Sequence, residues 1–300
     1  RTGDTTAKTR ARLRQSLPPA LVTTPESLEL MLSTPALVGN NSTPSAFAQL
    51  RLVVIDEWHA LHVSNRGVME QLALARLRKI CPGLRVWGLS ATLGNLEEAM
   101  AALMGKTKSP GRLVRGKMAK RFEIETLLPQ KGDRFPWGGH LGLAMLKRVL
   151  EAVEQKTSTL IFTNTRSQAE MWFRAIDESR PDLRGRVALH HGSLDPEERA
   201  EAEQGLKEGK LLAVVSTSSL DLGVDFAPVD QVIQIGSPKG VARLLQRAGR
   251  SGHQPGAVSR ILCVPSNTFE LVENCAVRDL ALAGRIESIY PVPKPLDLLC

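Results

Sequence analysis

At 300 residues the chain is long enough for about two domains on a prior of ~150 residues each, and its 42% hydrophobic content with only 4% aromatics requires aliphatic cores. Lys and Arg outnumber Asp and Glu by 39 to 31, leaving a formal charge of +8 and a sequence pI of about 9.6. That surplus favours a polyanionic partner, most simply nucleic acid, although a solvated basic face has the same composition. The four cysteines form no C-x-x-C pair, and no signal peptide or apolar run of ~18 residues is present. A zinc ribbon, a redox pair, a leader and a membrane-spanning helix are therefore not indicated, and a reducing cytoplasm is expected.

Taken in order, the chain opens on RTGDTTAKTR and closes on VPKPLDLLC, and both ends read as cuts inside a longer polypeptide. The short apolar run 20–24 leads into a helix to about Ser33, with Thr24 as cap, Pro25 at the first position and Glu26 in the first turn. Residues 34–48 are rich in Ser, Thr, Pro and Asn and read as a surface loop. The run Leu52–Ile55 is uninterrupted and largely β-branched, as in a parallel strand buried on both faces. Helical periodicity follows at 67–80, a second buried strand at 85–89, and an amphipathic helix at 95–104.

Between about Gly105 and Gly142, Lys, Arg, Gly and Pro crowd in, with short strands expected at 112–115 and 122–127. This stretch reads as a crossing between domains. From 141 the rhythm restarts: helix 141–155, strand 159–163, helix 167–179, strand 187–191, helix 195–208, strands 211–217 and 231–235, helix 240–248, strand 260–264 and helix 267–284. Strands alternating with helices imply right-handed crossovers and mostly parallel sheets, so an α/β chain of two lobes with a cleft is expected.

Candidate chemistry sits just past the strands, where open α/β sheets place their sites. Asp56 and Glu57 follow the first strand and suit a hard cation and an attacking water; taken alone, an acidic turn is an equal reading. Ser90 and Thr92 follow the next strand, where a plain turn is the alternative. STSSLDLGVDF (216–226) offers hydroxyls for phosphate, and Asp221 and Asp225 for arginine or ribose hydroxyls. In QRAGRSGH (246–253), Arg250 lies between two glycines, each one residue removed, and can project towards a phosphoryl group; a basic last helical turn is the alternative. His190-His191 has no third ligand at metal spacing and reads as a strand end. No G-x-x-x-x-G-K-[ST] loop occurs; Gly105-Lys106-Thr107 lacks the first glycine, whose place holds Met100.

The order of these pieces carries a resemblance. DEWH (56–59), SAT (90–92), FTNTR (162–166), TSSLDLGVD (217–225) and QRAGRSGH (246–253) are similar to motifs II, III, IV, V and VI of superfamily 2 helicases, and TGD (2–4) and TPES (24–27) to motifs Ib and Ic. DEWH with tryptophan third, RFPWGGHLG (134–142), FTNTRSQAE (162–170) and SPKGVARLLQRAGRSGH (237–253) resemble the Lhr-type DEXH-box helicases, in particular the bacterial ligase-associated branch. The resemblance runs from Arg1 to Cys300.

It implies two RecA-like parallel-sheet lobes in tandem, the first truncated at its N-terminus with its Walker A loop: residues 1–118, then 119–285, then 286–300 leading to a winged-helix domain. It implies an ATP-dependent 3′-to-5′ DNA helicase or translocase acting in DNA repair, with ATP and Mg²⁺ as cofactors. Asp56 would coordinate Mg²⁺, Glu57 would position water, and His59 would couple the nucleotide site to Ser90 and Thr92. Gly223 and Asp225 would lie at the nucleotide, Asp225 on its ribose, and Arg250 would be the arginine finger beside Gln246 and Arg247. Gly3, Asp4, Thr24 and Pro25 would contact nucleic acid from the first lobe, and Thr163, Asn164, Arg166, Gly192, Ser193, Thr217 and Ser218 from the second. His253 stands where many relatives have a second arginine. Partners implied are single-stranded or partly duplex DNA, an RNA–DNA hybrid, and a DNA ligase and nuclease, with a monomeric enzyme away from membranes. The fragment alone is expected to be inactive. An RNA or hybrid helicase, or a non-catalytic nucleic-acid-binding module, are the competing readings.

Overall fold

The crossing anticipated near the middle of the chain separates two units in the computed structural model: Arg1–Arg115 with Glu287–Cys300, and Gly116–Ile286. Residues 5–39, 45–91, 93–105, 111–116, 121–129, 142–221, 229–252 and 257–292 are described. Gly3, Asp4, Thr92, Gly223, Asp225, His253 and most of RFPWGGHLG lie outside them.

In the first unit, α1 (Ala7–Gln15) starts where the Thr6 hydroxyl accepts the Thr9 N–H at 3.3 Å. The basic segment AKTRARLRQ lacks apolar periodicity, and the sequence reading passed over this helix. α2 (Pro25–Leu32) begins as expected, with Thr24 Oγ1 accepting the Ser27 N–H and Pro25 pre-setting the first turn. The presumed loop 34–48 contains a further turn of helix, α3 (Pro35–Val38), which buries Leu37 against Met31, Leu32 and Phe47. β1 (Leu52–Ile55) is followed by the short α4 (Trp58–His62), α5 (Asn65–Ile80), β2 (Arg85–Gly88) and α6 (Leu96–Met104).

β1 and β2 pair in parallel, with Val54 opposite Trp87 and Ile55 opposite Gly88. Within this chain these strands are covered on one face. Leu52 and Val54 are 38% and 47% exposed, and Trp87 is 58% exposed. Among the described residues, helices cover only the opposite face, where Ile55 packs with Trp58, Leu74, Ala99 and Leu103. Gly88 lets Leu103 come close: a Cβ there would meet its Cδ2 at 2.4 Å.

The segment after Ile286 does not simply lead away. Asn95 Nδ2 donates to the Ile289 carbonyl at 2.8 Å, Asn95 Oδ1 accepts the Ile289 N–H at 3.0 Å, and the Gly94 N–H donates to the Glu287 carbonyl. The Ile289 side chain packs on the Trp58 cluster. The strand expected at 112–115 is absent: residues 111–116 have no ladder partner.

The second unit contains β3 (Arg121–Thr126), α7 (Leu146–Glu154), β4 (Thr159–Phe162), α8 (Arg166–Ser179), β5 (Val187–His190), α9 (Pro196–Lys207), β6 (Ala213–Ser216), β7 (Gln231–Ile235), α10 (Val241–Ala248), β8 (Val258–Val264) and α11 (Thr268–Leu282). Single 3₁₀ turns occur at Leu143–Met145, Pro181–Leu183 and Ser218–Leu220. The strands form one parallel sheet in the order β3-β8-β7-β4-β6-β5. Every residue of β4, β6 and β7 is buried, including the polar Thr159, Ser216, Gln231 and Gln234.

Two aliphatic layers cover this sheet. α7 and α8 bring Val149, Val153, Trp172 and Ile176 onto Ile161, Val215 and Ile233. On the other face α9, α10 and α11 bring Leu206, Leu244 and Val277 onto Leu160, Val214, Val232 and Ile261. Burying a leucine or isoleucine side chain contributes about 1.5–3 kcal/mol, so these layers fix the strand ends on which the polar residues sit.

Candidate nucleotide and nucleic-acid sites

In the first unit Asp56 and Glu57 lie where β1 ends. Glu57 adopts a left-handed conformation, φ 53° and ψ 40°, which is uncommon for a non-glycine residue and costs on the order of 1–3 kcal/mol. Its neighbours hold it there: Asp56 Oδ1 accepts the Glu57 N–H at 2.9 Å, and the Trp58 N–H donates to the Leu89 carbonyl at 2.9 Å. Trp58 is buried and its indole N–H donates to the Ala99 carbonyl at 2.8 Å, pinning α4 to α6. The strand-end turn therefore has a fixed backbone, while the Asp56 carboxylate is exposed and Glu57 half-buried.

His59 joins this turn to the end of β2. Its Nδ1 accepts the Ala91 N–H at 3.2 Å and lies 3.4 Å from a Glu57 carboxylate oxygen. One ring nitrogen thus faces both the Ala91 amide and the Glu57 carboxylate. Ser90 is exposed and its hydroxyl donates to the Ala91 carbonyl. Asp56, Glu57, His59 and Ser90 are thus brought to one rim; Thr24 and Pro25 occupy the first turn of α2. Among the described residues no group of three or more His, Cys, Asp or Glu could hold a metal ion. A carboxylate pair still suits Mg²⁺, which keeps most of its waters and takes one or two protein carboxylates.

In the second unit the carboxyl ends of β4, β5 and β6 carry the polar residues. Arg166, in the first turn of α8, donates to the Ser193 hydroxyl, and the Ser193 N–H donates to His191 Nδ1 at 3.3 Å. Asn164 Nδ2 donates to the Ser237 carbonyl at 2.9 Å. Arg166, Asn164, Gly192, Ser193 and Ser218 are exposed, and Thr217 is half-buried. Thr163 departs from its expected role as a nucleic-acid contact. It is fully buried, with its N–H and hydroxyl both bonded to the Ser216 carbonyl, so it ties β4 to β6.

His190 has partners that the sequence did not reveal. Buried to 2% exposure, it places Nδ1 2.8 Å from Ser219 Oγ and Nε2 3.0 Å from Glu203 Oε1. This joins α9, β5 and the 218–220 turn.

Motif VI distributes its residues unequally. Arg247, expected beside the nucleotide, is only 1% exposed. Its Nε and Nη2 donate to the two Asp221 carboxylate oxygens at 2.7 and 3.1 Å, Nη1 donates to Gln234 Oε1, and the guanidinium lies 4.6 Å from the Phe162 ring centroid. Three of its five N–H donors are thus taken within the second unit, and little of the guanidinium is left exposed. Gln246 and Arg250 are half-buried, and each donates to the Asp221 carbonyl, at 3.4 and 2.6 Å.

Comparison with known proteins accords with this arrangement. Residues 1–99 match the family described as DEAD/DEAH box helicase, and residues 142–254 match the Helicase conserved C-terminal domain. The chain is 36% identical over 303 residues to the ATP-dependent helicase Lhr-Core protein 2 of Thermococcus barophilus, covering all of this chain and 34% of that protein. It is 33% identical over 341 residues to the Lhr helicase/uracil glycosylase of Escherichia coli, of which it covers 22%. The chain therefore spans about a third or less of the length of these curated relatives. Among solved structures, the Mycobacterium smegmatis helicase Lhr bound to single-stranded DNA and AMP-PNP matches with TM-score 0.84 and 34% identity over 100% of this chain and 38% of that one. The DUF1998 helicase MrfA bound to DNA matches with TM-score 0.78 and 27% identity, covering 100% and 42%. The two parallel α/β units are those of RecA-like helicase lobes, and the chain belongs to the Lhr-type superfamily 2 helicases.

Proposed function

We propose that this chain is the motor portion of an ATP-dependent DNA helicase or translocase that moves 3′ to 5′ along one strand in DNA repair. The observation that carries this reading is the strand-end turn in which Asp56 and Glu57 are held by backbone bonds and linked through His59 to the Ser90–Ala91 segment. The relatives named as helicases, and the Lhr structure with single-stranded DNA, support the substrate class.

Asp56, with Glu57 beside it, would hold Mg²⁺, which neutralises charge on the ATP phosphates. Glu57 orients the attacking water from the left-handed turn that follows β1. His59, whose Nδ1 holds the Ala91 amide, transmits a shift of that turn to Ser90 and on to Thr92. Arg250 stabilises charge on the transferring phosphoryl group, an effect worth about 10³–10⁵ in rate where it operates. Gly223 and Asp225 hold the nucleotide. ATP binding and hydrolysis would then change the grip on the strand.

Gly3, Asp4, Thr24 and Pro25 make one set of backbone contacts; Asn164, Arg166, Gly192, Ser193, Thr217 and Ser218 make the other. Contacts to phosphates carry little sequence information, which suits a motor that must step over any sequence. The test is Glu57→Gln in the full-length protein: DNA-stimulated ATP turnover should be lost while DNA binding persists. Retained turnover overturns the reading. Strand displacement assayed on 3′-tailed and 5′-tailed duplexes, in DNA and in DNA–RNA hybrid form, should show activity on 3′-tailed DNA.

A further inference from the structure

One densely bonded residue of the second unit has so far been given no role in the proposed reaction. Asp221 closes the 3₁₀ turn Ser218–Leu220, just after β6, and is 5% exposed. Its carboxylate receives two parallel bonds from Arg247 in the last turn of α10, and Arg243 Nε, one helical turn earlier, stands 3.9 Å from Oδ2. Its carbonyl accepts from Arg250 and from Gln246. One residue thus gathers four side chains from α10 and the turn behind it. Gln234 on β7 and the Phe162 ring at the end of β4 complete the seat of the Arg247 guanidinium.

The geometry has a direction. The bidentate bond and the ring beneath it fix Arg247 in rotation as well as position. Arg247 and Arg250 are three residues apart, on successive turns of the same segment, with Ala248 buried and Gly249 between them. Fixing Arg247 sets the roll of α10, and the Asp221 carbonyl then meets the Arg250 guanidinium at 2.6 Å.

We propose that Asp221 is the positioning residue for Arg250: its carboxylate clamps Arg247, and its carbonyl holds the Arg250 guanidinium in the register from which it reaches the nucleotide phosphates. This rests on the helicase reading above. Asp221 itself touches no substrate. It spares the long Arg250 side chain a search through its rotamers, and a misplacement of the order of 1 Å in such a group can cost about 10²-fold in rate.

The test uses the full-length protein and steady-state ATPase kinetics at saturating DNA. Asp221→Asn keeps the size and an acceptor oxygen but removes the charge that fixes Arg247. Its kcat should fall by about tenfold or more, with KM for ATP and nucleotide-free DNA affinity within about twofold of wild type. Asp221→Glu restores the charge and should recover part of the loss. A purely structural role would instead lower melting temperature and DNA affinity together. In an Arg250→Lys background, Asp221→Asn should cost less than about twofold, because the group it positions has been replaced. The same factor in both backgrounds, or a kcat for Asp221→Asn within twofold of wild type, overturns the proposal. If Asp221→Asn does not fold, Arg247→Lys, which keeps the charge but not the bidentate bond, takes its place with the same readouts and thresholds. Turnover lost in Glu57→Gln but unchanged in Asp221→Asn refutes this inference alone; turnover that survives Glu57→Gln overturns both.

Discussion

At the scale of single residues, environment separates groups that the sequence presents as equivalents. Arg247 and Arg250 occur in one motif, yet the first is sealed against Asp221, Gln234 and Phe162 while the second is half-buried at the surface. Histidines differ in the same way. His59 faces a backbone amide and a carboxylate, whereas His62 is fully buried with its ring centroid 5.3 Å from that of Trp58. Burial lowers the His62 pKa below its usual 6.5, opposed in part by the Ile289 backbone and the charge of Glu98. The folded protein therefore resists protonating His62, while the unfolded chain takes up a proton near pH 6.5. Stability from this group is present above that pH and is lost as pH falls from about 6.5 towards the lowered folded value. His62→Leu should flatten the decline in denaturant midpoint between pH 7.5 and 5.5 relative to wild type; parallel curves for the two proteins would refute the assignment.

At the scale of elements, starts and stops were legible where side chains close them locally. Thr24 before Pro25 caps its helix as its residue type predicts, whereas Asn267, which the sequence reading placed inside the last helix, caps α11. At α11 the cap is reciprocal: Asn267 Oδ1 accepts the Glu270 N–H at 3.0 Å while Glu270 Oε2 accepts the Ser266 N–H at 2.8 Å. Asn267→Ala should cost about 1 kcal/mol, read as a fall of roughly 2–4 °C in the melting temperature of the second unit. What could not be read was anything set by distant partners. α1 has no apolar stripe to announce it. α3 hides in a loop-like composition. The exposure of Val54 and Trp87 depends on which helices reach the sheet, not on the residues of the strands. The same holds for site residues: DEWH and QRAGRSGH were visible as strings, but the Asp221–Arg247 pair spans 26 residues and Thr163 is buried by a bond to Ser216, 53 residues on.

At the scale of the whole molecule, the +8 charge and the exposed polar groups at the carboxyl ends of β4, β5 and β6 bear on how nucleic acid would be held. Binding that rests on phosphates releases counterions, so the logarithm of affinity should fall linearly with the logarithm of salt concentration. Arg166→Ala in the full-length protein should weaken binding to DNAs of different sequence about equally and reduce the magnitude of that slope by about 1. Titrations of fluorescent oligonucleotides at several salt concentrations measure both; a sequence-dependent loss with an unchanged slope would contradict a backbone contact. The parallel α/β architecture was legible from the alternation of strands and capped helices. The division of the first unit between two stretches of chain was not, because nothing in residues 287–292 names Asn95 as its partner across 194 positions.

That division has a consequence for birth at the ribosome. The backbone bonds of Ile289 to Asn95, and its seat beside Trp58, can form only after the entire second unit has been made. At translation speeds of about 5–20 residues per second, that interval is on the order of ten seconds or more. Throughout it the nascent first unit waits with one of its apolar seats unfilled.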